Sequence, residues 1–474
     1  MSESAHIINK IVIDLDIGTE HQSKKDVLSS RVKSEVLSAV DNLLQTFDDD
    51  GVYLRFKHLS LDLDVDANDL DRLGGVIEQA LSETLSATAP LKTNEHSSDE
   101  QPVNITAEKR REEVFHYFMK NGQFPWWSRN AFSLDDLEEW LIELPKNKLK
   151  EHISAVLKHY PKINRLTQQF SEKTNQSLLK TLYYSKLSYD KIMSVSGDFI
   201  AFLEQNRSQL LIDNIHRIKM LVYAEAWKVL HSTNRNPNQI QKDFVHAVVR
   251  QLALHINPHY SLVDEWNTWV NNNKKDDNVA KQLLLPSKLS LANNKKETKE
   301  VIKSADDETG YHVPQSGLIL LNPFIPRLCK NLGLIQNGSF LSIEKRERAV
   351  CLLHYLATGE DTFPEPDLVL PKLLCGWPIN SPVSRFLTLD KEEKSECNAL
   401  LESTIEHWSA LKNTSPAGLT TSFLKRTGRM RRESFGWMLY VESRTEDILL
   451  NRLPWAISVV KYDWMDSQLT VKWE

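Results

Sequence analysis

The residues best suited to a specific contact are five cations that lie close together near the end of the chain. These cations surround Gly428 and are Lys425, Arg426, Arg429, Arg431 and Arg432. The guanidinium group of arginine donates hydrogen bonds to carboxylates. Candidate contacts for an acidic protein surface are therefore Arg429, Arg431 and Arg432. The alternative is a charged hairpin turn, because Trp437–Val441 directly after the cluster has the pattern of a strand.

Tryptophans form the second group of candidate contact residues. Four of the twelve in the chain are candidates for protein interaction, namely Trp126, Trp127, Trp455 and Trp464. Trp126 and Trp127 follow Phe124 and Pro125 in an aromatic corner, where side chains of this size pack either a core or an interface. If both belong to a core, replacing each by alanine should cost roughly 3–5 kcal/mol. If they form an interface, the double variant should stay folded and lose a partner.

The sequence carries no recognisable catalytic or cofactor motif. It lacks a glycine-rich phosphate loop, a nucleophile elbow of the G-x-S-x-G type and an H-E-x-x-H pair. His354 and His407 lie beside large apolar residues, which is typical of packed histidines. We therefore predict that the chain is not an enzyme and has no cofactor.

Two groups of residues could suggest a metal, and neither fits one. An acidic run from Asp62 resembles a calcium loop, but Ala67 and Leu73 stand where that loop needs glycine and glutamate. The four cysteines are widely spaced and include no C-x-x-C pair; they are Cys329, Cys351, Cys375 and Cys397. Unpaired and mostly buried thiols are the simpler interpretation.

Composition narrows the class of protein further. The chain of 474 residues is 41% hydrophobic and 26% charged, as in globular proteins, and its net charge is −6. An acidic chain is not generally attracted to nucleic acid. No apolar run reaches the roughly 20 residues needed to span a membrane, and the N-terminus has no signal-peptide pattern.

The candidate residues must be positioned by several folded segments. We predict a mainly α, multi-domain fold with a small α+β unit at the N-terminus and short strands near the C-terminus. The predicted segments are a β-α-β-α unit over 1–85, a linker over 86–106, a helical middle domain over 107–270, a flexible linker over 271–313 and an α+β block over 314–474. Both linkers are predicted because these segments are rich in polar residues and contain few apolar ones.

Periodicity places the individual elements within these segments. Strands are predicted over 6–17 and 53–65, and helices over about 26–47 and 67–85. A helix from Ala107 should stop at Asn121-Gly122, and Ser133 should cap the next one. Further helices are predicted over 149–157, 178–187, 199–203, 212–230 and 240–256, with prolines between them.

The chain resembles the contractile injection system tape measure protein family. The similar segments in the C-terminal block are Gly317–Pro326, Glu347–Gly359, Leu370–Gly376, His407–Ser415, Asn451–Ile457 and Lys461–Met465. Earlier similar segments are His6–Ile8, Leu59–Leu63 and Asn121–Trp127. The likeness covers both ends of the chain and part of its middle.

This resemblance implies a non-catalytic assembly protein of a phage-tail-like particle, which sets tube length and engages the baseplate hub or spike. Its expected partners are the hub or spike and the inner-tube proteins, with a homo-oligomer as a further candidate. It is expected in the cytoplasm during assembly and then in the tube lumen. The alternative is a folded baseplate adaptor or assembly chaperone that binds hub, tube or cargo proteins without acting as a ruler. An unbroken helix over about 160 residues would span about 240 Å, but prolines interrupt this one, which favours a folded chain.

Overall fold

The computed structural model describes residues 8, 11–14, 25–44, 52–55, 61, 63, 72–87, 103–128, 131–158, 160–208, 210, 214–231, 237–253, 261–274, 283–285, 310–411 and 413–473. The chain divides into two compact units, Met1–Phe115 and His116–Glu474. The predicted mainly helical fold with strands near the C-terminus is confirmed. The domain boundaries predicted from composition stay predictions.

The first unit combines helices and a two-stranded sheet. Its elements are α1 (Lys25–Leu44), β1 (Val52–Arg55), α2 (Leu73–Ala87), β2 (Val103–Thr106) and the start of α3 (Ala107–Asn121). The apolar faces of α1 and α2 share a small core of Val32, Ala39, Leu73, Ile77 and Leu81. β1 and β2 pair antiparallel, with Val52 opposite Thr106.

Two predictions for this unit need correction. β2 lies inside the segment predicted as a linker, because its partner β1 is about fifty residues away and composition does not reveal such pairing. Of the first predicted strand, residues 8 and 11–14 are described and are not in a strand. The rest of that strand, and most of the first linker, lie outside the described residues.

The second unit begins with a helical region, residues 116–274. After α3 its helices are α4 (Leu134–Glu143), α5 (Lys146–Leu157), α6 (Tyr160–Gln169), α7 (Glu172–Tyr183), α8 (Tyr189–Gln205), α9 (Ile215–His231), α10 (Pro237–Leu252) and α11 (Leu262–Asn273). Ser133 and Asp136 form the predicted capping box of α4. The sequence pattern does not predict α6 or α11. Proline is expected to separate helices, but Pro161 lies in the first turn of α6, where proline is tolerated.

The unit ends in a C-terminal region, residues 310–473. Its helices are α12 (Ile325–Asn331), α13 (Ile343–Thr358), α14 (Val369–Leu374), α15 (Lys391–His407) and α16 (Pro416–Leu419). Its strands are β3 (Tyr311–Val313), β4 (Ile335–Gln336), β5 (Ser339–Phe340), β6 (Gly428–Glu433), β7 (Gly436–Val441), β8 (Val459–Val460) and β9 (Leu469–Lys472). β3 lies within the segment predicted as the second linker.

Five of these strands form one sheet in the order β3-β6-β7-β9-β8. β6 and β7 are the predicted hairpin, and β7 pairs parallel with β9. One face of the sheet carries Met430, Leu439 and Leu469, all fully buried in the core of the region. Residues of the opposite face, such as Arg429 and Met438, are half-buried.

Candidate protein-interaction site

A fully buried ion-pair cluster lies between α6 and the C-terminal region. The cluster has three members, each 1% exposed: Arg165 on α6, Lys372 on α14, and Glu365, which precedes α14. Arg165 Nε lies 2.8 Å from Glu365 Oε2, and Lys372 Nζ lies 2.7 Å from Glu365 Oε1. Arg165 also donates to the carbonyl oxygens of Met119 and Asn380, at 2.7 and 2.5 Å. The Arg165 guanidinium therefore joins three parts of the chain, namely the end of α3, α6 and residues 365–380.

The electrostatics of this cluster follow from its burial. Burial alone would raise the pKa of Glu365, but Arg165 and Lys372 outweigh it, so that this pKa lies below its ordinary value. Burial lowers the pKa of Lys372 to about 8, although Glu365 opposes the change. Glu365 is thus held as a carboxylate by two cations that have no access to water.

Gly122 shows how closely the chain packs around this carboxylate. It ends α3 with a φ of +71°, the left-handed conformation that favours glycine. A Cβ at this position would lie 2.4 Å from Glu365 Oε1. The position therefore requires glycine for its backbone conformation and again for the approach of Glu365.

Two further ion pairs and one backbone hydrogen bond join the same regions. Arg385 Nη1 lies 3.1 Å from Oε1 of Glu138 on α4, and the backbone N–H of Arg385 donates to Gln168 O at 3.1 Å. Arg217 Nη1 on α9 lies 2.7 Å from Oε2 of Glu347, which is 1% exposed on α13. We call these residues the buried ion-pair network: Glu138, Arg165, Arg217, Glu347, Glu365, Lys372 and Arg385.

The outer face of the five-stranded sheet is a separate, basic surface. Strand register aligns one row of residues across four strands, namely His312, Arg429, Tyr440 and Lys472. A second row consists of Arg431, Met438, Thr470 and Val459. We call these eight residues the basic sheet face. All eight are half-buried or exposed, and three are positively charged. Glu433, the next residue of β6 on the same side, is exposed and pairs with Arg431, so an acidic ligand would compete with Glu433 for that guanidinium.

Aromatic contacts organise the charges on this face. The Tyr440 ring lies 4.9 Å from the Arg431 guanidinium carbon and 5.5 Å from Lys472 Nζ, so that both cations contact it. Arg431 also donates to the Tyr440 hydroxyl at 2.7 Å and lies 3.3 Å from Glu433. Partial burial, and then repulsion from Arg431, lower the pKa of Arg429. The face therefore concentrates positive charge around one aromatic ring.

The predicted cationic cluster is divided by the structure. Arg429 and Arg431 lie on the basic sheet face, and Arg432 contacts the Trp437 ring at 5.3 Å. Arg426 does not belong to the surface, because it is fully buried and pairs with Asp447 at 3.0 Å. These residues lie along β6 rather than in the turn of the hairpin. Sequence reasoning missed Tyr440 and Lys472, whose alternating positions in β7 and β9 were the available signal.

The four candidate tryptophans do not form one surface. Trp126 and Trp127 are half-buried beside the buried Pro125 and Ser128. Trp455 Nε1 donates to Leu320 O at 2.9 Å, and Trp464 Nε1 donates to Leu374 O at 2.8 Å. Both half-buried indoles pack against the core of the C-terminal region. Their roles in protein interaction stay predictions.

The other side chains that could be reactive, four thiols and a histidine, are buried. All four cysteines are buried free thiols, and burial raises the pKa of Cys329 and Cys397 to about 12. His354 is 1% exposed, which lowers its pKa to about 4. Within the described residues, no group of acidic, histidine or cysteine side chains could hold a metal ion. None of the described helices is long and apolar enough to cross a membrane.

Comparison with known families decides the class of protein. A family model for contractile injection system tape measure proteins matches residues 5–473. The chain belongs to this family. The match includes both units, so that the N-terminal unit and the basic sheet face are parts of one tape measure family protein. No curated protein matches the chain, and no solved structure does.

Proposed function

We propose that this tape measure family protein acts in particle assembly as a folded body that binds tube and baseplate proteins, including the hub or spike. It contributes surfaces of its C-terminal region, and in the particle it lies in the tube lumen. The observation that carries the proposal is the buried ion-pair network. The network links the helical region to the C-terminal region through contacts such as Arg165–Glu365 and Arg385–Glu138.

The network makes extension of the chain unfavourable. Separating the regions would leave buried charges without their partners or expose their surroundings to water. Breaking a buried pair by removing one partner costs about 3–5 kcal/mol, and a whole domain is stable by about 5–15 kcal/mol. An extension that leaves even one of these charges buried without its partner would therefore cost a large part of the stability of the second unit. This supports a protein that works while folded.

The second candidate is a ruler that sets tube length, which the family's description favours. A ruler extends along the lumen, so every residue added to its length-setting part should lengthen the tube. A helix gains about 1.5 Å per residue. The two candidates therefore differ in one measurable property, the dependence of tube length on chain length.

We would insert about thirty helix-forming residues between His231 and Pro237, the end of α9 and the start of α10. This site adds residues without removing any described contact. Particle length would be measured by electron microscopy. The folded body predicts an unchanged length, whereas the ruler predicts particles longer by about 45 Å.

A second variant separates the candidates if the insertion prevents assembly. Arg385→Ala removes the contact with Glu138 without changing the number of residues. A folded body should then give fewer particles of normal length, because the second unit is destabilised. A ruler that works extended should give normal numbers of particles. Length that follows the insertion, together with normal assembly by Arg385→Ala, would contradict our proposal.

A further inference from the structure

The basic sheet face combines charge, an aromatic ring and a regular spacing. Its three cations lie on one side of a sheet whose other side is the core, so their backbone positions are fixed. Arg429 and Arg431 are two residues apart on β6. Residues at this spacing on a strand point to the same side and lie about 6.7 Å apart. The same spacing is found between alternate residues of any extended peptide.

We infer that the basic sheet face binds an extended acidic segment of a partner protein, with carboxylates at alternate positions opposite Arg429 and Arg431. Guanidinium groups bind carboxylates through paired hydrogen bonds, which favours Arg at these two places. Lys472 lies two strands from Arg429, about 10 Å away across the sheet, and provides a third contact. The inference rests on the proposed function only for the identity of the partner as a protein of the particle.

The Tyr440 ring restrains two of the three cationic side chains of the face. Its ring contacts Arg431 and Lys472 from the strand between them, at 4.9 and 5.5 Å. Long cationic side chains lose rotamer freedom on binding, and a fixed contact in the free protein reduces this loss. Met438 and Val459 provide apolar surface beside the cations, and Val459 is 54% exposed. Acidic residues alternating with aliphatic ones would match both features.

Nucleic acid is the other polymer that a basic, aromatic face could bind. Three cations on a chain of net charge −6 give a small local patch rather than the broad positive surface typical of nucleic-acid binding. Arg429 and Arg431 also lie at alternate positions of one strand, a spacing that matches alternate residues of an extended peptide. These observations favour an acidic protein segment, and binding of nucleic acid becomes an outcome of the test.

The test uses the full chain and a fluorescein-labelled peptide in which glutamate and valine alternate over about seven residues. A peptide of identical composition with its glutamates contiguous is the matched control. Fluorescence anisotropy would give both dissociation constants. We expect the alternating peptide to bind about five-fold more tightly, as for one exposed ion pair, and to lose affinity with added salt. Equal affinity for the two peptides would overturn the inference.

Variants locate the binding site. Arg431→Glu and K472E should each weaken the alternating peptide about five-fold or more. Arg452→Glu makes the same change of net charge at an exposed residue outside the face and should have little effect. Equal loss in Arg452→Glu, or tighter binding of a single-stranded oligonucleotide of similar charge, would overturn the inference. Because no particle is needed, failure here is distinguishable from failure of the insertion experiment.

Discussion

At the level of single residues, Glu365 is a fully buried carboxylate whose two charged partners, Arg165 and Lys372, are also buried. We expect Glu365→Gln to destabilise the second unit by about 3–5 kcal/mol, because Arg165 would keep its charge without a buried carboxylate and Lys372 would lose the partner that raises its pKa. Urea denaturation measures the change. Glu402→Gln, at an exposed position of α15, is the control and should change stability by less than about 0.5 kcal/mol. Equal effects of the two substitutions would contradict the importance of the cluster.

His354 should make stability depend on pH. Burial lowers its pKa to about 4 from an ordinary 6.5, while Glu360 favours and Lys425 opposes protonation. The unfolded chain therefore binds the proton first, and stability falls as the pH drops from about 6.5 towards 4, by up to about 3 kcal/mol. Thermal unfolding of His354→Leu should depend less on pH in this window. His407→Leu, at an exposed position, should retain the wild-type dependence.

At the level of elements, Gly122 tests how α3 ends against the ion-pair cluster. Gly122 and Gly359 both end helices with positive φ, +71° and +76°. A Cβ at Gly359 would meet nothing within 4 Å, whereas one at Gly122 would clash with Glu365. Gly359→Ala should therefore cost about 1–2 kcal/mol, the price of the left-handed conformation alone. Gly122→Ala should cost clearly more by chemical denaturation, and an equal cost would show that Glu365 can move aside.

Local signals explain which elements were predictable. The ends of α3 and the capping box of α4 depend on neighbouring residues, Asn121-Gly122 and Ser133 with Asp136, and were predicted correctly. β2 and β3 were missed because their partners lie far along the chain and their surroundings are polar. The same limit applies to the site, since Arg165 and Glu365 are 200 residues apart. No periodicity in the sequence links such residues.

The basic sheet face was partly predictable for a related reason. The arginines of β6 are adjacent in sequence, so their clustering was visible. Lys472 belongs to β9 and joins them only through the parallel pairing of β7 with β9. Arg426 belonged to the predicted cluster but points into the core towards Asp447. Alternation within a strand, rather than closeness in sequence, decides which cations share a surface.

At the level of the whole molecule, the buried ion-pair network makes cooperative unfolding of residues 116–473 the central expectation. The sequence predicted a separate helical middle domain and C-terminal block. Contacts such as Arg217–Glu347 join these two regions, and we expect them to couple the stability of each region to that of the other. A substitution in one region should therefore be detectable in the other.

The four buried thiols provide that measurement, because all of them lie in the C-terminal region. Trp227 on α9 is fully buried in the helical region and donates to Asn175 at 3.0 Å. Trp227→Ala should cost about 3–5 kcal/mol. If the second unit opens as a whole, labelling of the thiols by a maleimide should accelerate by more than about a hundredfold. Leu187→Ala, whose side chain is 86% exposed, is the control and should leave the rate unchanged.

The contrary result would be equally informative about function. Thiol labelling that is no faster in Trp227→Ala than in Leu187→Ala would mean that the helical region opens independently of the C-terminal region. A helical region that opens by itself could extend inside a tube while the C-terminal region stays folded at one end. Cooperative opening makes such an intermediate costly, since the network would have to break first. The labelling rate of four thiols thus distinguishes a folded body from a ruler before any particle is assembled.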